Sequence, residues 1–165
     1  MKLLSEEYVF DRVVSHIHIG VPAPALRAAL ARIDAKGRQF LAEEVQFDEP
    51  IGETICVATR PGDEIVYAKR PGRWGPSRFV KNRKPEECSS LVVILKKAEE
   101  DGNYVLITAF VGRLAEPEPW DSRTFSQKAN PAEAAEKSRE FWNSHALVWG
   151  VEKVIINTIT AECPW

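Results

Sequence analysis

No Cys-x-x-Cys pair, no Walker or dinucleotide glycine pattern and no membrane-length apolar run occurs in this chain. Each absence excludes a class. The three cysteines, Cys56, Cys88 and Cys163, lie too far apart for a zinc knuckle or a disulfide framework, and they read as reduced thiols. Without a GxxxxGK[ST] or GxGxxG run, a mononucleotide-binding P-loop is not expected. No segment has the length and apolarity of a spanning helix, so no membrane partner is expected. The first residues, MKLLSEEYVFD, meet acids too early to form a signal-peptide core, and a cytoplasmic location is the expectation. Imidazoles are scarce too, with His16, His18 and His145 the three in the chain.

The most informative absence is local. From residue 69 to residue 84, KRPGRWGPSRFVKNRK, there is no acid. The stretch carries seven cations (Lys69, Arg70, Arg73, Arg78, Lys81, Arg83 and Lys84) beside two aromatics, Trp74 and Phe79. The whole chain has a net charge of −2, which leaves about −9 on the remainder, so any pull toward polyanions is confined to this stretch. Guanidinium forks clasp phosphate and aromatic rings stack on bases, which makes Arg70, Arg73, Trp74, Arg78 and Phe79 candidate substrate-binding residues. A plainer reading, a solvated basic turn, competes with this one.

The remaining 165-residue pattern is that of one α+β domain, residues 1–165, with ordinary apolar and charged content. Apolar residues at helical spacing predict a short amphipathic helix over 24–36. Asn130, Pro131 and Glu133 form a strong helix start, and that helix is expected to run to about residue 148, where Gly150 stops it. Strands are expected over 8–20, 44–49, 54–59, 64–69, 91–97, 103–112 and 151–160. The turn Arg60-Pro61-Gly62-Asp63 predicts that 54–59 and 64–69 pair as one hairpin, and AEEDG predicts a second between 91–97 and 103–112. Residues 113–130 lack periodicity and read as a long loop. The expected architecture is an antiparallel, hairpin-rich twisted sheet packed against two amphipathic helices.

Chemistry has few carriers. His16 and His18 share one face of the first expected strand, about 7 Å apart. They suit acid–base work or phosphate contact, a metal-dependent hydrolase site if further ligands join them, or an ordinary sheet surface. His145 falls on the apolar stripe of the second helix, as a core residue or as a general acid or base at its rim. Thr108 is expected on the strand face shared with Tyr104, Leu106 and Phe110, where a hydroxyl can reach a phosphate. Trp120, in EPEPWD, either closes over a base or belongs to a rigid connector.

A basic segment, a strand ending VLITAFVG and a polar loop with a tryptophan resemble the barnase/EndoU/colicin/RelE-like ribonuclease superfamily, over roughly residues 64–126. The resemblance implies metal-independent RNA cleavage on an antiparallel sheet, with Arg73, Lys81 and Thr108 near the phosphate. The HIHIG start and the helix bearing His145 depart from that pattern.

The leading expectation is therefore a metal-independent ribonuclease or related phosphodiester-cleaving domain, needing no cofactor and no metal. His16 or His18 would take the 2′-OH proton, and His145 or Lys81 would protonate the leaving oxygen. Arg70, Arg73 and Arg78 would stabilise the developing charge. The alternatives are a non-catalytic module for nucleic acid or a phospho-ligand and, more weakly, a His-x-His metal-dependent hydrolase. Expected partners are RNA or another phosphate-bearing ligand, with an inhibitor protein as a further candidate.

Overall fold

A computed structural model describes residues 20–98 and 103–165. The strand expected over 8–20, with His16 and His18, and part of the AEEDG turn lie outside the described residues. The fold is α+β, and the chain forms two compact units, Met1–Thr54 with Glu87–Leu114 and Ile55–Glu86 with Ala115–Trp165.

The first unit is built on α1 (Ala23–Arg32) and a three-stranded antiparallel sheet. Pro24 sits in the first turn of α1, where a missing N–H costs nothing, and Ala25, Leu26, Ala29 and Leu30 form its buried stripe. The helix is shorter than expected, because Ile33 already has extended backbone. In the sheet, β7 (Ser90–Lys97) lies between β1 (Phe40–Gln46) and β8 (Tyr104–Val111). Leu91, Val93 and Leu95 of β7 pack with Leu26, Leu30, Leu41 and Leu106. Each such side chain, fully buried, contributes about 1.5–3 kcal/mol. The expected β7–β8 hairpin forms, and it carries a bulge between Ile94 and Leu95. A short pair, β2 (Gly52–Thr54) with β6 (Glu86–Cys88), completes the set.

The second unit holds a four-stranded sheet in the order β3 (Cys56–Ala58), β9 (His145–Val148), β5 (Pro76–Val80), β4 (Ile65–Lys69). The expected pairing of 54–59 with 64–69 is corrected here. β3 (Cys56–Ala58) and β4 (Ile65–Lys69) lie at opposite edges, and β4 pairs instead with β5 (Pro76–Val80), inside the basic stretch. The second helix is corrected too. The helix α3 (Pro131–Ser144) starts as expected, with Asn130 Oδ1 accepting from the Glu133 N–H, but it ends at Ser144. His145–Val148 is then β9, antiparallel to β3 and parallel to β5. Ala146, Leu147 and Val148 are all buried there, and sandwiching them between two strands outweighs extending the helix.

Residues 151–160 do not form the expected strand. They make one 3₁₀ turn (Ile156–Thr158) and a single bridge between Tyr67 and Thr160. This segment covers the outer edge of β4: Lys69 O accepts from the Ile155 N–H, and Tyr67 and Thr160 exchange both main-chain bonds. The loop after residue 113 contains a further short helix, α2 (Ser122–Ser126), whose Asp121 cap accepts from Thr124 N–H and Oγ–H. One side of the sheet packs Val57, Val80, Ala146 and Val148 together, while Ala68, Phe79, Leu147 and Trp142 form a second cluster.

Candidate functional site

The basic stretch is the β4–β5 hairpin and the turn that follows it. Arg70-Pro71-Gly72-Arg73 closes the hairpin, with the Arg73 N–H donating to Arg70 O at 3.2 Å and Gly72 at φ +77°. Proline followed by a glycine at positive φ is the chemistry of a type II turn. Arg73, the last residue of the turn, and Trp74 just after it are exposed, Trp74 by 82%.

Three interactions fix this tip. The Arg70 guanidinium donates to Ser77 Oγ at 2.9 Å, to Glu152 at 2.7 Å and to Glu118 at 3.3 Å. Glu118, itself buried, also accepts from the Trp120 indole N–H at 3.0 Å. Gly75 lies directly against Trp120, so that a β-carbon there would stand 2.6 Å from the indole's Cβ and Cδ1 and closer still to Cγ. The EPEPWD segment is anchored in turn by α3. Ser138 Oγ–H donates to Pro117 O at 2.5 Å, and the Trp142 indole N–H donates to Glu116 O at 2.9 Å. Trp120 is thus a buttress beneath the tip, with its one polar hydrogen committed.

Arg78 points inward. Its Nη1 donates to Trp142 O and His145 O, each at 3.0 Å, which satisfies carbonyls where α3 ends. Its Nε is buried and has no hydrogen-bond partner. Phe79 is fully buried and meets Trp149 edge-on at 5.3 Å. The expectation that Phe79 stacks on a ligand is therefore corrected: it is a core ring. Arg83 bonds Asp63, Glu86 and Ala58 O. Although burial works against it, the Asp63 carboxyl is held below its ordinary range by the Arg60 N–H and by Arg83. Lys81 is exposed, with Nζ 5.8 Å from the Trp149 ring centre, and Lys84 is exposed beyond it. Four of the seven cations, Lys69, Arg73, Lys81 and Lys84, are thus not taken up by these internal guanidinium bonds.

The remaining candidates stand as follows. His145 is the one histidine among the described residues, and it opens β9. Its ring stacks on Phe141 at 4.1 Å, and Nδ1 lies 3.0 Å from both Phe141 O and Ser144 Oγ. Thr108 belongs to β8 of the first unit, opposite Ile94. The bulge beside Ile94 shifts the alternation, so Tyr104, Leu106 and Ala109 face the core cluster, and Thr108 does not share their face as expected. Among the described residues, no group of three or more His, Cys, Asp or Glu is arranged to hold a metal ion.

Besides Asp63, two titratable groups near this sheet have displaced pKa values. Burial, and secondarily the charge of Glu118, push the Cys56 thiol up to about 11. Burial raises the Tyr67 phenol above its ordinary value, with Cys163 adding to the rise and Arg78 opposing it. Glu118, offered by the sequence as part of EPEPWD either to cap the site or to form a rigid connector, and Glu152, which sequence reasoning missed, are the acids that hold Arg70. They lie 48 and 82 positions from the arginine they neutralise, and the acid-rich EPEPWD run was the one signal for the first of them.

No family model and no curated protein matches the chain. A 2.35 Å crystal structure of a conserved hypothetical protein from Toxoplasma gondii ME49 shares its fold, with a TM-score of 0.54 at 12% identity. The match covers 94% of this chain and 97% of that one. Among the described residues, no helix is long and apolar enough to cross a membrane.

Proposed function

We propose that this protein binds the phosphate backbone of RNA through its basic hairpin, as a non-catalytic module. The observation that carries this reading is the contrast between Arg70 and Arg73. The first has all its guanidinium nitrogens engaged by Ser77, Glu118 and Glu152; the second is exposed on the turn those contacts hold rigid. A charge displayed on a pre-ordered turn loses little entropy on meeting a phosphate. Lys81 and Lys84 extend the positive surface at the far end of β5, about 17 Å along the hairpin from its tip.

Binding is favoured over cleavage because two of the three arginines expected to stabilise a cleavage transition state are committed elsewhere, leaving Arg73 alone. Arg78 serves the end of α3 and Arg70 serves two carboxylates. His145 has Nδ1 beside a main-chain carbonyl and its ring against Phe141. With so few exposed cations the affinity belongs to the weak, salt-sensitive regime, with dissociation constants of about 10⁻⁴–10⁻⁶ M.

The test is fluorescence anisotropy of a labelled oligoribonucleotide in low salt with EDTA, on wild type and an R73E/K81E/K84E variant. Loss of binding in the variant is expected. Undiminished binding would remove the hairpin from the interface. Release of 2′,3′-cyclic phosphate ends under these conditions would establish the metal-independent ribonuclease reading instead.

A further inference from the structure

Resting on the RNA-binding reading above, we infer that the hairpin tip selects single-stranded RNA, with the Trp74 indole taking the face of an unpaired base while Arg73 holds the adjoining phosphate. Three features carry this. An indole 82% exposed beside an exposed arginine, on a turn bridged by its own main-chain bond, is a large apolar surface that the fold itself leaves uncovered. Such a ring gains by stacking on a base, and every base offers a π-face that a duplex keeps covered by its neighbours.

The second feature is what lies around the tip. A β-ribbon that reads the base edges of a DNA duplex enters a groove, and a duplex RNA is met across a wide minor groove by an extended surface. Here neither strand of the hairpin is available for that. Phe79 and Val80 of β5 pair with β9, and Tyr67 and Lys69 on the outer edge of β4 bond residues 155–160. Of the tip, residues 71–74 are exposed, a patch suited to one or two nucleotides rather than to a groove.

The third feature is rigidity. Trp120 against Gly75, and Arg70 tied to Ser77, Glu118 and Glu152, hold the base of the tip on both sides. Stacking on a pre-positioned ring avoids the ordering cost that an equally exposed ring on a mobile loop would incur.

The experiment measures binding of one RNA sequence as a single strand and as its annealed duplex, at equal ionic strength, for wild type, W74A, W74F and R73A. The single strand is expected to bind at least tenfold tighter than the duplex. W74A should lose about tenfold for the single strand while leaving the salt slope unchanged, since the indole carries no charge; W74F should recover most of the loss. R73A should instead reduce the slope. Trp74 is exposed, so circular dichroism of W74A should match wild type. Equal affinity for duplex and single strand, or a W74A variant that binds like wild type, overturns the inference while cation-dependent binding stands. No binding of either form at low salt overturns the RNA-binding reading itself.

Discussion

The Arg78 guanidinium reaches from β5 to the last turn of α3 and donates to the Trp142 carbonyl at 3.0 Å. The same nitrogen serves His145 O, and α3 has no basic residue of its own in its last turn. A strand arginine therefore supplies the positive charge that the negative end of the helix dipole favours. Replacing it with methionine should leave two carbonyls unmet inside the fold and cost about 2–4 kcal/mol, read as a fall in the denaturant midpoint. Lysine, with a point charge but no fork, should recover part of that loss.

Gly75 is constrained by proximity, not by backbone conformation. A methyl group there overlaps Trp120, so Gly75→Ala must move either the indole or the tip. The expected cost is about 1–3 kcal/mol of stability. Intrinsic tryptophan fluorescence should shift as well, because Trp120 leaves its place beside Glu118. A variant with wild-type stability and spectrum would show that the buttress is dispensable.

Cys56 makes a pH-dependent prediction. Its thiol pKa is raised by burial and by Glu118 from an ordinary 9.0 to about 11. The folded state therefore holds this proton more tightly than the unfolded chain. The associated stability is complete below pH 9 and is lost as pH rises from about 9 through 11. Alkylation should follow the same order: in native protein at pH 8 the exposed Cys163 reacts first and Cys56 lags, closing the gap only near pH 11. E118Q removes the second cause and should bring the Cys56 transition to lower pH.

Local signals in the sequence were good guides to local structure. Asn130 and Pro131 start α3 where capping chemistry places them, and the apolar runs at 91–97 and 104–111 pair as a hairpin. What was not legible is what depends on distant residues. The turn signal at Arg60–Asp63 is real, with Arg60 N–H bonded to the Asp63 carboxylate, yet β3 next to it pairs with β9, some ninety residues on. Nothing local says that HALV leaves the helix, since its burial depends on Val57 and Val80. The basic stretch shows the same limit. Composition revealed seven cations without revealing that Glu118, Glu152, Asp63 and two helix-terminal carbonyls would draw three of them inward. Thr108 changed faces because of a single bulge, which a period-two pattern cannot register.

The salt dependence of RNA affinity tests the central claim most directly. If Arg73, Lys81 and Lys84 each meet a phosphate, the logarithm of the binding constant for a single strand should fall against the logarithm of salt with a slope near −2, at about −0.7 per contact. An R73A/K81A double variant should flatten that slope by about 1.4. A slope near zero in wild type, or one that the double variant leaves unchanged, would contradict an interface built on the hairpin's exposed cations.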